Sequence, residues 1–140
     1  LIQEIFPEIR RNIDIDPEVL KHLKEGLRGV VYDARGTGHR ARLKNVIVSG
    51  KTGTAQVVGM KDSEEIDPEE EIPYSHRDHA WFVAFAPYEK PEVAVSVIIE
   101  HGGHGGHTAA PIAREILKTY FSHYPPSKTI GLGKERIEVN

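Results

Sequence analysis

Two apolar runs joined by a very short connection place the strongest limit on how this chain can fold. The runs HAWFVAFAP, from His79 to Pro87, and PEVAVSVIIEH, from Pro91 to His101, are rich in β-branched and aromatic residues. Only Tyr88-Glu89-Lys90 separates the prolines that bracket them, which predicts an antiparallel hairpin. Because both runs are mostly apolar, we expect one face of the hairpin to be deeply buried and the other to be covered.

A helix is predicted before the hairpin, over residues 16–31 (DPEVLKHLKEGLRGVV). Asp16 is a favourable N-cap residue, and Pro17 follows it at a position where its missing N–H costs nothing. The apolar residues that share one face at helical spacing are Leu20, Leu23, Leu27 and Val30. The helix should therefore pack against a large partner surface, and Gly36-Thr37-Gly38 should form a loop after it.

A second helix is predicted after the hairpin, from Thr108 to about Phe121. Its predicted apolar stripe consists of Ile112, Ile116, Leu117 and Tyr120, which would lie back over the hairpin. The glycine-rich segment HGGHGGH, from His101 to His107, is the turn between the last strand and this helix.

The remaining strand signal covers residues 46–58, and an acidic, weakly apolar stretch that predicts a surface loop follows it. The order is therefore helix, strand, long loop, hairpin, helix. This predicts an α+β fold with three antiparallel strands and a helix packed on the sheet. Three strands are few for an independent sheet, and the chain begins with Leu1 inside an apolar pattern, so we expect a piece of a larger α+β domain. Residues 1–124 would belong to that domain, and 125–140 would form a flexible tail.

The centre of the first strand, Gly50-Lys51-Thr52, matches half of a phosphate-binding loop. The full motif needs a glycine five residues before the Gly-Lys pair and a helix after it. Here Asn45 occupies the glycine position, and the following residues, GTAQVV, have strand propensity. Both requirements fail, which argues against a nucleotide site and leaves another chemical role or an ordinary exposed lysine on a strand edge.

The triplet Lys51-Thr52-Gly53 is also the Lys-Thr-Gly motif that serine penicillin-binding proteins and β-lactamases carry on a strand. The segments SGKTGTAQVVG, RDHAWFVAFAP, EVAVSVIIEHGG and AAPIAREIL, in that order, resemble the end of the transpeptidase domain of class B penicillin-binding proteins. The elongation-type enzymes, called penicillin-binding protein 2, look most similar. The resemblance covers residues 14–121 and implies the C-terminal part of the serine transpeptidase/β-lactamase-like fold.

The resemblance implies an enzyme that cross-links peptidoglycan stem peptides by D,D-transpeptidation and reacts with β-lactams. Lys51 would supply a fixed positive charge for the terminal carboxylate of the substrate and assist proton transfer near the nucleophile, and the N–H of Thr54 would form half of the oxyanion hole. Thr52 and Thr54 would offer hydroxyls to the substrate carboxylate. Gly53 would allow close approach of the substrate, and Gln56 would be a further substrate contact. No cofactor is implied.

The chain departs from that family by lacking the Ser-x-x-Lys and Ser-x-Asn motifs. None of its serines has lysine three residues later or asparagine two residues later; they are Ser49, Ser63, Ser75, Ser96, Ser122 and Ser127. We therefore expect one wall of an active-site cleft that is inactive alone and pairs with the missing upstream half of its domain. The resemblance further implies a parent anchored in the bacterial cytoplasmic membrane, with this domain outside, and a glycosyltransferase of the elongation machinery as partner.

Two alternatives stay open at this point. A β-lactam-sensing receptor domain of the same fold would be acylated without transpeptidation. A metal-binding module would use His101, His104 and His107, although such a glycine-rich run organises ligands poorly and no carboxylate joins it. The chain has no cysteine and a net charge of −3, which excludes thiolate metal sites and gives no reason to expect nucleic acid as a partner.

Overall fold

The computed structural model describes residues 11–57 and 73–126. The elements in chain order are helix α1 (Pro17–Tyr32), strand β1 (Ser49–Ala55), strand β2 (His79–Ala86), strand β3 (Val93–Ile99) and helix α2 (Ala109–His123). Short 3-10 turns lie at His39–Ala41 and Tyr74–His76. The predicted acidic loop, over residues 60–78, and the predicted tail fall largely outside the described residues.

The three strands form one antiparallel sheet in the order β1-β2-β3. Phe82 at the centre of β2 is paired with Thr52 of β1 on one side and with Val97 of β3 on the other. Each strand is therefore beside its neighbour in sequence, as the short connection between the two apolar runs predicts. The predicted hairpin and the predicted three-stranded α+β architecture are confirmed.

Helix α1 begins where its capping residue predicts, because the Asp16 side chain accepts a hydrogen bond from the Glu18 N–H at 2.8 Å. The helix packs against β1, but its most deeply buried residue is Val31. Leu20 and Leu23, predicted to face a partner surface, remain 42% and 56% exposed. Only the C-terminal half of the predicted apolar face is therefore in contact with the sheet region.

Helix α2 packs on β2 and β3 through a different face from the one predicted. Its buried residues are Ala109, Ala110, Ala113, Leu117 and Phe121, whereas Ile112 and Ile116 are exposed. The predicted stripe was wrong at those two positions because alanines, which bury little area, allow the helix backbone to approach the sheet closely. Within residues 11–57 and 73–126, neither helix is long and apolar enough to cross a membrane.

The two faces of the sheet differ in how much they are covered. On the face under α2, Ala80, Phe82 and Ala86 have no exposed surface. The opposite face carries Trp81, Val83 and Ile98, which are 37%, 45% and 45% exposed. We call this second surface the open face, and the expectation that it is covered stays a prediction for the complete domain.

Strand β1 is shorter than the predicted run of residues 46–58. Val46 and Val48 are buried, but their backbone polar groups are bonded to the Tyr32 hydroxyl of α1 rather than to a neighbouring strand. Ladder pairing starts only at Ser49. Tyr32 therefore anchors the chain that leads into β1, and Val58 lies outside the described residues.

Ser49 is fully buried, and its hydroxyl is the one buried side-chain polar atom of the described residues without a hydrogen-bond partner. A buried hydroxyl that lacks a partner costs about 1–3 kcal/mol. We therefore expect Ser49→Ala to raise the free energy of unfolding by roughly 1 kcal/mol, measured by thermal unfolding. Ser96→Ala, at an exposed position of β3, is the matched control and should change it little. A lower unfolding midpoint for Ser49→Ala would contradict the prediction.

Candidate active site

Strand β1 carries the Lys-Thr-Gly triplet and divides its side chains between two sides of the sheet. Thr52 and Thr54 are paired with Phe82 and Ala80, and Lys51 is paired with Val83 of the open face. Directly paired residues of antiparallel strands project to the same side. Lys51 therefore lies on the open face, whereas the two threonines lie on the side of the packed core.

The ammonium group of Lys51 is exposed at the rim of the open face. Its Nζ donates a hydrogen bond to the carbonyl oxygen of Thr52 at 2.7 Å. None of the ion pairs among the described residues involves Lys51. β1 is also an edge strand of this three-stranded sheet, so one side of its backbone has no strand partner in the described structure. The Lys51 ammonium group therefore belongs to a strand whose edge has no strand partner among the described residues.

A groove of about 470 Å³ lies along the threonine side of β1. Three segments line it: the strand, the loop after α1, and the glycine-rich loop before α2. Their lining residues are Gly36, Thr37, His39, Arg40, Thr52, Thr54, His104, Gly105, Gly106 and His107. Thr37 Oγ1 lies 2.7 Å from Thr52 Oγ1, so a hydroxyl pair joins the loop after α1 to the triplet.

The side chains around this groove are suited to an anionic ligand. Arg40 is held beside the glycine-rich loop, where its Nη1 donates to the His107 carbonyl at 3.2 Å. Three histidines and three threonine hydroxyls complete the polar lining, and no carboxylate is among the described lining residues. Arginine and hydroxyl donors together bind carboxylates well. Lys51 does not line the groove, so the structure does not place it beside the two threonine hydroxyls.

The glycine-rich loop is a close-packed element. A Cβ on Gly105 would lie 2.0 Å from the Trp81 carbonyl oxygen and 2.6 Å from that of Gly53. A Cβ on Gly106 would lie 2.2 Å from the Thr37 carbonyl oxygen. Only glycine permits backbones to approach this closely. The loop therefore rests directly on the junction of β1 with β2 and on the loop that carries Thr37.

The three histidines of the glycine-rich loop have different surroundings. His101, at φ 53°, donates its N–H to Nδ1 of His79 at 2.9 Å, and its ring contacts Tyr74. His104 and His107 line the groove instead. No group of three or more histidine or acidic side chains able to hold a metal occurs within the described ranges. His79, at the entry to β2, takes part in packing of the loop against the strand.

The structure thus brings Thr52 and Thr54 together in one groove, with Gly53 between them on the strand. Gln56 follows the end of β1 and is exposed. The sequence interpretation missed Thr37 as a residue of the groove. Its position between Gly36 and Gly38 predicts that Thr37 lies in a loop. It does not predict which strand that loop contacts.

Comparison with known proteins agrees with this geometry. Residues 4–118 match the family model of the penicillin-binding protein transpeptidase domain. The chain belongs to this family. The resemblance of the triplet and its flanking strands to penicillin-binding proteins is thereby confirmed, as is the serine transpeptidase fold.

Individual relatives place this chain near the penicillin-binding protein 2 type. The peptidoglycan D,D-transpeptidase MrdA of Haemophilus influenzae is 42% identical over 104 residues, which are 74% of this chain and 16% of that protein. PBP2 of Pseudomonas aeruginosa, solved in complex with WCK 5153, is 30% identical with a TM-score of 0.65, covering 97% of this chain and 26% of that one. PBP2 of Helicobacter pylori, solved in complex with MreC, is 35% identical with a TM-score of 0.59, covering 76% and 18%. The chain therefore spans about a sixth of the length of the curated relative MrdA.

Proposed function

We propose that the protein containing this chain is a peptidoglycan D,D-transpeptidase of the penicillin-binding protein 2 type, and that this chain supplies the Lys-Thr-Gly wall of its active site. The observation that carries the proposal is the position of Lys51-Thr52-Gly53-Thr54 on an edge strand beside a groove lined by threonine hydroxyls, histidines and Arg40. MrdA of Haemophilus influenzae, named as a D,D-transpeptidase, supports it.

The edge of β1 binds the stem peptide as an added strand, because its unpaired backbone side can accept an extended chain. The terminal carboxylate of the peptide enters the groove and accepts hydrogen bonds from Thr52 and Thr54. The N–H of Thr54 then stabilises the oxyanion that forms at the attacked carbonyl. Gly53 keeps the edge free of a side chain, and Gln56 is a further contact for the peptide.

Lys51 acts on the other side of the same strand. Lys51 projects from the open face. Its ammonium group therefore contacts the part of the domain that covers this face. We assign the serine nucleophile to that covering part, since no serine of this chain lies in a Ser-x-x-Lys motif. Lys51 would assist proton movement between the serine, the leaving amine and the incoming amine, rather than bind the carboxylate in the groove.

The remaining expectations belong to the parent protein. We propose that it is anchored in the bacterial cytoplasmic membrane with this domain outside, acting with an elongation-type glycosyltransferase. The MreC complex of the Helicobacter pylori protein supports a role in a larger assembly. A β-lactam-sensing receptor would share the acylation step, so turnover of a donor peptide onto an amine acceptor is the assay that separates it from a transpeptidase.

The proposal predicts that the full-length protein forms a covalent adduct with benzylpenicillin, measured by intact mass. The chain of residues 1–140 alone should stay unmodified, because its own serines lack the activating lysine. Peptide mapping should place the adduct on a serine outside this chain. An adduct on Ser49, Ser63 or another serine of this chain would contradict the proposed division of the site, and an unmodified full-length protein would refute the transpeptidase itself.

A further inference from the structure

We propose that Thr37 is a positioning residue of the active site, which orients the Thr52 hydroxyl toward the carboxylate of the substrate. The inference rests on the proposed transpeptidase function and deepens it. It joins two features that the proposed function leaves unused: the Gly36-Thr37-Gly38 loop and the glycine-rich loop before α2.

The contact itself is short and connects distant parts of the chain. Thr37 Oγ1 and Thr52 Oγ1 are 2.7 Å apart, the usual distance for a hydrogen bond between hydroxyls. The two residues are fifteen positions apart, on a loop and on β1 respectively. Thr37 therefore contacts the triplet because the fold brings its loop there.

The loop that carries Thr37 is fixed from two sides. The Gly38 N–H donates to the Val30 carbonyl at 2.8 Å, and a Cβ on Gly36 would lie 2.4 Å from the same oxygen. On its other side the Thr37 carbonyl packs against Gly106, where a Cβ would lie 2.2 Å away. The loop is thus held between the end of α1 and the glycine-rich loop, which leaves Thr37 little freedom to move away from Thr52.

A bound carboxylate determines which of the two hydroxyls donates the hydrogen bond between Thr37 and Thr52 and which accepts it. A carboxylate only accepts hydrogen bonds, so Thr52 must donate its single hydroxyl proton to it. The oxygen of Thr52 then accepts from the Thr37 hydroxyl. Thr37 donating to Thr52, and Thr52 donating to the carboxylate, form a chain in which each hydrogen bond polarises the next. Without Thr37, the Thr52 hydroxyl is free to rotate away from the ligand.

The exposure of Thr37 favours this role over one in stability. Its side chain is exposed, so water can replace the hydrogen bond in the absence of ligand. When an acidic group fills the groove, that water is displaced and the donor order becomes fixed. We therefore expect the Thr37 hydroxyl to affect binding of carboxylate-containing ligands and to leave folding nearly unchanged.

The test uses Thr37→Val in the full-length protein, because valine keeps the shape of threonine and removes the hydroxyl. The second-order rate constant for acylation by benzylpenicillin should fall about 3- to 10-fold, the range for loss of one hydrogen bond. Thr37→Ser, which restores a hydroxyl, should recover most of the loss. Thr119→Val, on an exposed position of α2, is the matched control and should react like the wild type. The thermal unfolding midpoint should be the same for all of these proteins.

Two further measurements separate positioning from a general structural effect. In the double variant Thr37→Val/Thr52→Val, the rate should equal that of Thr52→Val alone, since Thr37 acts only through Thr52. With benzylpenicillin methyl ester, whose neutral carbonyl accepts a weaker hydrogen bond than a carboxylate, Thr37→Val should slow the reaction by a smaller factor than it does with benzylpenicillin. Multiplicative losses in the double variant, or an equal loss with the ester, would overturn the proposal.

Acylation of the wild type separates a failure of the inference about Thr37 from a failure of the proposed transpeptidase function. An acylated wild type with an equally reactive Thr37→Val variant would refute the role of Thr37 alone. A wild type that benzylpenicillin does not acylate would refute the proposed transpeptidase, and the role of Thr37 with it.

Discussion

Replacing Lys51 with methionine in the full-length protein should lower the rate constant for acylation by benzylpenicillin by about 100-fold or more. Methionine keeps an unbranched side chain of similar length and removes both the charge and the exchangeable proton. The loss should be large because Lys51 is the only lysine of β1 and stands on the open face, where we place the nucleophile. Stopped-flow acylation kinetics, with intact mass to count the adduct, would measure it.

Lys51→Arg separates charge from proton transfer. Arginine keeps the positive charge but does not give up a proton at ordinary pH. If Lys51 moves protons, Lys51→Arg should be nearly as slow as Lys51→Met. Lys90→Met, at an exposed lysine in the turn between β2 and β3, is the matched control and should react at the wild-type rate. A wild-type rate for Lys51→Met would mean that Lys51 is an ordinary surface lysine on a strand edge.

Among the described glycines, Gly105 should be the one at which replacement by alanine has the largest effect. The new Cβ would overlap backbone carbonyl oxygens of both Trp81 and Gly53, which cannot rotate away as a flexible side chain would. Overpacking of this kind costs typically 1–3 kcal/mol, and we expect the upper end of that range. Since Gly53 belongs to the triplet, we also expect acylation to be strongly reduced.

Gly26→Ala is the matched control for Gly105→Ala. Gly26 lies inside α1, and a Cβ there would have no neighbouring atom within 4 Å. Alanine is a better helix former than glycine by roughly 1 kcal/mol, so this variant should unfold at a slightly higher temperature than the wild type. The same chemical change is thus expected to have opposite signs at the two positions. A Gly105→Ala protein with unchanged unfolding and acylation would contradict the close packing of the loop.

The parts of the fold that could be predicted from sequence are those set by local signals. The Asp16-Pro17 start of α1 and the short connection between β2 and β3 are properties of adjacent residues, and the structure confirms both. The packing face of α2 could not be predicted in the same way. A hydrophobicity pattern favours Ile112 and Ile116, whereas close approach to the sheet favours the smaller Ala110 and Ala113.

In the candidate site, too, local features could be predicted from the sequence and long-range contacts could not. The Lys-Thr-Gly triplet could be identified from the sequence, because its three residues are adjacent in the chain. Its division between two sides of the sheet follows from the alternation of any strand, but which side meets the packed core depends on the pairing with β2, which the sequence does not specify. Thr37 and Gly105 could not be predicted as parts of the site, because each contacts β1 from a distant position in the chain.

The packing of α2 on the centre of the sheet has a consequence for synthesis on the ribosome. The three strands are neighbours both in sequence and in space, so the sheet can pair as soon as Ile99 has emerged. Phe82 and the alanines beside it share one buried core cluster with Leu117 and Phe121, which are translated later. During that interval the nascent sheet presents apolar surface on both sides. Completion of α2 is therefore the step that removes one of these surfaces from chaperones and from neighbouring nascent chains.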